Sequence, residues 1–191
     1  MSLLKVFLLS TIVLVSSTFA ESFMLDKAHT NVGFKAKHLL VSSVNGNFDM
    51  FDGSIEFDYM KKQLKALKGT INVASIDTDN EKRDKHLKSP DFFDAKKFPK
   101  MTFVSTKVDG NHLWGDLTIK GITKNIKLEI DDVGTIIGPK SNKRIGFVLE
   151  GKINRLDYGL NWNKLLETGG AIVSNEIKLI IELEGIEKKK M

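Results

Sequence analysis

Hydrophobic and polar residues alternate with a period of two along most of this chain. In the run Val32–His38, apolar residues take every second position and two lysines lie between them. Side chains of a β-strand point alternately to its two faces, so this pattern predicts a strand with one buried face. The last run, Ala171–Ile186, alternates in the same way. It places Ile177, Leu179 and Ile181 together on the predicted inner face.

About eight such runs follow one another, most of them joined by short connections. Short connections favour an antiparallel meander that closes on itself, and Asp109-Gly110 between two runs is a strong hairpin signal. A sandwich of two sheets produces the same alternation, so periodicity leaves barrel and sandwich open. The predicted strands are Val32–His38, Val44–Tyr59 with a bend or bulge around Asp52-Gly53, Leu64–Ile76, Met101–Val108, His112–Lys120, Lys124–Val133, Arg144–Arg155 and Ala171–Ile186.

One segment interrupts the alternation with helical sequence. Asp77 to Asn80 supplies capping residues, Glu81 to Lys88 has the length of about two helical turns, and Pro90 ends that piece. Strand-like sequence resumes at Met101. We therefore predict a short helical insertion at about residues 78–98, held against the sheet by three phenylalanines: Phe92, Phe93 and Phe98.

Composition excludes several kinds of chemistry. The chain has no cysteine, which rules out disulfides, thiolate nucleophiles and cysteine metal sites. A net charge of +5 with 28% charged residues predicts a mildly basic surface rather than a nucleic-acid-binding face. The four histidines, His29, His38, His86 and His112, lack the spacing of a metal motif. No G-x-S-x-G motif is present, so no catalytic residue is predicted.

The N-terminal residues have the pattern of an export signal. Lys5 precedes an apolar run from Val6 to Val15, and small or hydroxyl residues then lead to Ala20. The run is half the length of a membrane-spanning helix, which needs about 20 residues. We predict cleavage of residues 1–20 and a periplasmic or secreted domain of residues 21–191.

Several motifs stand in order along this domain and resemble those of the YceI-like family of lipid-binding, lipocalin-like barrels. The most specific covers Ser75–Thr78, Arg83–Asp94 and Phe98–Thr106. The resemblance implies a mainly β fold, a single antiparallel eight-stranded lipocalin-like β-barrel. The other matching segments are Asp26–Phe34 with His38, Gly46–Phe48 with Phe51–Gly53, Gly115–Lys124, and Ile153–Gly159.

The resemblance also implies a function. We expect a periplasmic binding or carrier protein that holds a long-chain isoprenoid, such as a quinone or polyprenyl pyrophosphate, or a similar lipid inside the barrel. Burying each methylene contributes about 0.8 kcal/mol, so an apolar channel binds such a chain without a catalytic group. No cofactor or metal is required. The expected partners are the lipid and a membrane donor or acceptor, without nucleic acid; a homodimer is left open.

Strand parity and the family motifs give candidate ligand-binding residues. The candidate polar contacts for a head group are His38, Arg83 and Arg155. The alternative role for His38 is a hydrogen-bonded core histidine. A structural role, docking the insertion onto the barrel, is the other possibility for four residues: Arg83, Asp84, Arg155 and Asp157. The expected apolar lining is Phe34, Phe48, Ile71, Phe103, Leu117, Phe147, Leu149, Ile177, Leu179 and Ile181.

Two other functions are left open. One is an enzyme, such as a lipid hydrolase or isomerase, which requires two or three titratable groups to converge in the cavity. The other is a secreted stress-response protein whose core is filled by its own side chains and which acts through its surface. An eight-stranded barrel has room for either a filled core or one small ligand, and sequence periodicity does not choose between them.

Overall fold

The alternating runs form an antiparallel sheet that closes into an eight-stranded barrel in the computed structural model, which describes residues 20–39, 41–139, 141–163 and 172–188. The predicted mainly β barrel is confirmed. The predicted signal sequence, apart from Ala20, lies outside the described residues. The strands are β1 (Glu21–Leu25), β2 (Asn31–His38), β3 (Ser42–Phe48), β4 (Phe51–Asp58), β5 (Gln63–Asn72), β6 (Ile76–Asp77), β7 (Lys100–Asp109), β8 (His112–Ile119), β9 (Ile122–Ile137), β10 (Lys143–Asn154) and β11 (Val173–Glu187).

The eleven strands occupy eight positions around the barrel, because three positions each hold two consecutive strands separated by a short interruption. These pairs are β1 and β2, β3 and β4, and β5 and β6. β1 and β2 pair with successive parts of β11, at Leu25 opposite Gly185 and at Asn31 opposite Glu182. β3 and β4 likewise pair with β2 and β1 in turn. β5 and β6 are separated by a 3₁₀ turn, Val73–Ser75. At each interruption one strand ends and the next begins at the same position of the barrel, and the barrel wall stays closed.

The structure moves one predicted break. We expected the bend of the run Val44–Tyr59 at Asp52-Gly53, but the interruption lies at Asp49-Met50. There the amides of Asp49 and Met50 donate to the carbonyl and hydroxyl of Ser75, at 3.2 and 3.0 Å. Gly53 instead stays in register with Gly69. A Cβ on Gly53 would lie 2.4 Å from the Lys68 carbonyl. This glycine therefore allows β4 and β5 to approach closely and does not mark a bend.

The predicted helical insertion contains a single short helix, α1 (Glu81–Leu87). Asn80 caps its N-terminus by accepting a hydrogen bond from the Arg83 amide at 3.0 Å. Its C-terminal end lies three residues before Pro90, and Leu87 accepts from the Phe93 amide at 3.0 Å. No helix of the described residues is long and apolar enough to cross a membrane.

The barrel interior divides into two parts, which we call the filled half and the hollow half. The filled half lies at the end that carries the β4–β5 and β9–β10 turns. Its side chains are at most 7% exposed, and none of them lines the cavity of the hollow half. Burying a large apolar side chain contributes about 1.5–3 kcal/mol, so this half stabilises the fold. Its members are Phe23, Ile55, Phe57, Leu64, Leu113, Ile130, Ile145 and Phe147.

Candidate functional site

The hollow half encloses a cavity of about 190 Å³. Alternate side chains of the surrounding strands point into it, because every second residue of a strand faces the barrel interior. Leu87, Phe92 and Phe93, from α1 and the loop that follows, close its wall on one side. The ring of Phe93 packs edge-on against that of Phe48 at 6.1 Å between centroids. The insertion is therefore part of the cavity wall.

Nine of the ten predicted apolar residues line this cavity, and their contact with a ligand stays a prediction. The exception is Phe147, which stacks on Phe57 in the filled half at 6.4 Å between ring centroids. Parity correctly places Phe147 on the inner face, but it does not tell which half of the barrel that residue fills. The lining residues from the prediction are Phe34, Phe48, Ile71, Phe103, Leu117, Leu149, Ile177, Leu179 and Ile181.

Two of the three predicted polar residues lie away from the cavity. His38 ends β2 opposite Val173 and Ser42 and is not among the lining residues. Arg83 donates from Nε to the Thr78 hydroxyl at 2.7 Å and from Nη2 to the Thr78 carbonyl at 2.6 Å. The same hydroxyl donates to the buried carboxylate of Asp84. These contacts fix the start of α1 within the insertion, and a role of Arg83 and Asp84 in docking the insertion onto the barrel stays a prediction.

Arg155 is the predicted polar residue that does line the cavity, and it is 2% exposed. Its guanidinium donates to the main-chain carbonyls of Ser174 and Trp162, both at 2.9 Å, and to that of Leu160. Burial lowers its pKa from the ordinary value. No carboxylate of the described residues pairs with it, so carbonyl dipoles from two chain segments solvate a buried charge.

An aromatic cluster that sequence reasoning missed lies beside the cavity. The ring of His86 packs edge-on against Phe92 and Trp162, at 5.1 and 4.7 Å between centroids. Nε2 of His86 lies 3.2 Å from a carboxylate oxygen of Asp91. Because Phe92 lines the cavity and Arg155 holds the Trp162 carbonyl, this cluster joins α1 to the chain that follows β10. The Phe92-Phe93 pair was the available sequence signal.

A second group of polar residues lies outside the cavity. Oxygen and nitrogen atoms of Asp26, His29 and Glu184 come within 4.8 Å of one another, a spacing that a metal ion could use. Arg144, however, forms ion pairs with both carboxylates. Burial acts to raise the pKa of Asp26, but hydrogen bonds from His29, Arg144 and the Ala28 amide outweigh it and hold the pKa below its usual value. The cluster is an ion-pair network that joins the β1–β2 turn to β10 and β11.

Tyr158 supplies the last unusual polar group. Its side chain is 1% exposed in the core of the hollow half, and its hydroxyl has no hydrogen-bond partner among the described residues. Burial, together with the neighbouring charge of Asp157, raises its pKa to about 12. A neutral phenol is therefore kept in an apolar setting.

Comparisons with known proteins agree with this architecture. A family model described as the YceI-like domain matches residues 23–185. A UPF0312 protein of Staphylococcus aureus (strain MSSA476) is 42% identical over 158 residues, which are 82% of this chain and 92% of that protein. The crystal structure of a Campylobacter jejuni YCEI protein is 41% identical with a TM-score of 0.71, covering 86% and 97% of the two chains.

A third comparison shows the fold alone, because the sequence identity is 14%. It is the structure of a polyisoprenoid binding domain from Saccharophagus degradans implicated in plant cell wall breakdown. The TM-score is 0.63, and the match covers 89% of this chain and 100% of that domain.

Proposed function

Because this chain belongs to the YceI-like family, we propose that it binds a long-chain isoprenoid, or a lipid of similar shape, in the hollow half of its barrel. The observation on which the proposal rests is the apolar cavity of about 190 Å³. The polyisoprenoid binding domain of the same fold supports this class of ligand. Binding then follows from burial of the ligand's hydrocarbon, at about 0.8 kcal/mol for each methylene.

The size of the cavity constrains how a long chain is held. An engineered apolar cavity of about 150 Å³ accepts a molecule the size of benzene, so 190 Å³ accommodates only a short stretch of an isoprenoid. A longer ligand requires the cavity wall to move or part of the ligand to remain outside. The wall formed by α1 and its loop is the segment that a bound chain displaces in this proposal, because it adds no strand pairing to the barrel.

The proposed activity is binding rather than catalysis. Two titratable residues at the cavity edge, Asp52 and Lys68, are exposed on the outer surface. The guanidinium of Arg155 is committed to carbonyl groups. General acid–base chemistry needs a group free to exchange a proton with the substrate near neutral pH, and these three residues do not provide one.

The proposed place of action is the periplasm or the exterior, because residues 1–20 have the pattern of a cleavable export signal. N-terminal sequencing of the protein from its native host tests this point. We expect Glu21, the first residue of β1, at or within about two residues of the mature terminus. An intact Met1 would overturn the export proposal and leave the binding proposal unaffected.

The decisive experiment is mass spectrometry of an organic extract from protein purified without detergent. We expect one dominant long-chain lipid in the extract. When this lipid is added back to delipidated protein, we expect it to bind at a defined molar ratio of lipid to protein. Absence of lipid, together with no uptake of added isoprenoids or fatty amides, would favour a protein that acts through its surface. Conversion of the recovered lipid on incubation with fresh protein would favour an enzyme.

A further inference from the structure

The hairpin between β2 and β3 has an apolar tip where turn chemistry favours polar residues. Val41 is 83% exposed and Leu39 is 37% exposed. Leu39 also has a φ of 53°, a left-handed conformation that costs a leucine free energy and that glycine or asparagine adopts more readily. An exposed apolar tip held in an unfavourable backbone conformation gains nothing for the isolated protein.

The position of this tip relates it to the cavity. His38, at the end of β2, is in register with Val173, and both Ala36 and Val173 line the cavity. The amide of Leu39 donates to the Ile172 carbonyl at 2.9 Å, which fixes the tip against the start of β11. The hairpin therefore projects from the hollow end of the barrel, opposite the filled half.

Unpaired positive charge lies just behind the tip. Lys35 and Lys37 are exposed on the outer face of β2, and neither forms an ion pair with any residue that the structure describes. Nearby acids are already paired: Glu150 with Lys178 at 2.8 Å, and Glu176 with a lysine of β10 at 2.9 Å. The two lysines thus leave a net positive strip that leads to an apolar tip.

The opposite end of the barrel offers a direct comparison. Ile136 and Ile137 are also exposed, at 64% and 56%. The neighbouring cations, Lys143 and Arg144, are however paired with glutamate and aspartate side chains. The exposed isoleucines of the filled end therefore lie beside paired cations, whereas the apolar tip of the hollow end lies beside two lysines that form no ion pair with a described residue.

We propose that the β2–β3 tip, with Lys35 and Lys37 behind it, docks the hollow end of the barrel on the surface of a bilayer that contains anionic lipids. Leu39 and Val41 enter the interfacial region, and the lysines meet the head groups. The purpose of this docking rests on the proposed function, because it brings the cavity to the membrane where a lipid is collected or delivered. Positive charge selects an anionic bilayer over a neutral apolar partner.

The test is co-sedimentation of the purified protein with vesicles of phosphatidylcholine alone and of phosphatidylcholine with an equal amount of phosphatidylglycerol. We expect binding to the mixed vesicles and much weaker binding to the neutral ones. The variant Leu39→Asn/Val41→Ser should bind the mixed vesicles at least tenfold more weakly. Asparagine tolerates the left-handed conformation, so this variant should fold. Lys35→Gln/Lys37→Gln should lose roughly fivefold for each lysine.

Matched controls lie at the filled end. Ile136→Asn/Ile137→Ser removes two exposed apolar side chains, and Lys62→Gln/Lys65→Gln removes two exposed lysines, so both should bind vesicles as the parent does. Equal binding by the tip variants and the parent would overturn the proposal, as would failure of the parent to bind either vesicle. If the parent is a dimer that binds neither vesicle and the tip variants are monomers, the tip is instead a contact surface for a second copy of this chain.

The lipid extract separates this inference from the proposed function. A protein that contains a lipid but ignores both vesicles overturns the docking surface alone. A protein that binds mixed vesicles through its tip, yet neither contains nor takes up a lipid, overturns the proposed cargo and leaves the docking surface standing.

Discussion

Nη1 of Arg155 donates a hydrogen bond to the main-chain carbonyl of Trp162 at 2.9 Å, which ties the end of β10 to the chain around Trp162. The same guanidinium holds the Ser174 carbonyl at the start of β11. One buried side chain thus links two segments beside the cavity.

Arg155→Met should destabilise the protein by at least about 3 kcal/mol. The substitution removes the charged donor from the buried carbonyl of Leu160 and from the partly buried carbonyls of Ser174 and Trp162, and each unsatisfied buried group costs about 1–3 kcal/mol. Urea unfolding followed by circular dichroism measures the change. As a control, Lys152→Met removes an exposed ion pair with Glu176 and should change the free energy of unfolding by less than about 0.5 kcal/mol. Similar stability for both variants would show that the Arg155 contacts contribute little.

Leu179→Trp tests whether the cavity holds the ligand. Leu179 lines the cavity, so the larger side chain should occupy space that a lipid needs, and binding should fall sharply. The melting temperature of the lipid-free protein should stay nearly unchanged, because room already exists. In a filled barrel the same substitution would overpack the core and cost about 1–3 kcal/mol. Lys178→Trp, on the outer face, serves as the control for both measurements.

Phe147→Ala and Phe34→Ala should separate stability from binding. Phe147 is 3% exposed within the filled half, so its truncation should cost about 3–5 kcal/mol and leave lipid selectivity unchanged. Phe34 borders the cavity and already lacks neighbours on one side, so its loss should cost less. It should, however, shift binding toward bulkier ligands. Equal losses of stability would contradict the division of the interior into two halves.

Tyr158 should make the protein sensitive to alkaline pH. Its pKa in the fold is about 12, above its ordinary value of 10.0. Between these two values the unfolded chain releases a proton that the folded chain retains, so stability is complete below pH 10 and falls as the pH rises toward 12. Tyr158→Phe should remove this sensitivity. At neutral pH it should raise stability by about 1 kcal/mol, since the buried hydroxyl has no partner among the described residues. Unfolding curves of both proteins at neutral and alkaline pH measure the difference.

Strand parity predicted the inner face of the barrel well because the side-chain period of a strand is independent of tertiary context. Ile177, Leu179 and Ile181 all line the cavity as the final run indicated. The capping signal at Asn80 and the hairpin signal at Asp109-Gly110 depend on local backbone geometry and were equally informative.

Features that depend on distant residues could not be predicted in this way. Strand parity does not give the position of Phe147 along the barrel axis. The sequence therefore did not predict that one half of the interior is filled by side chains. The break at Asp49-Met50 depends on hydrogen bonds to Ser75, which lies in the 3₁₀ turn between β5 and β6. The Asp26, His29 and Glu184 cluster joins residues from opposite ends of the chain, and only the closed barrel brings them together.

The filled half makes the cavity a chamber with a blind end. A lipid held there as proposed would not pass through the filled half, so it would enter and leave on the hollow side of the barrel. Exchange by flow along the whole barrel axis is then not expected. Smaller side chains at Phe57 and Phe147, which stack in the filled half, would extend the cavity along the barrel axis without adding a strand. These are the positions at which evolution toward a longer ligand is expected to act.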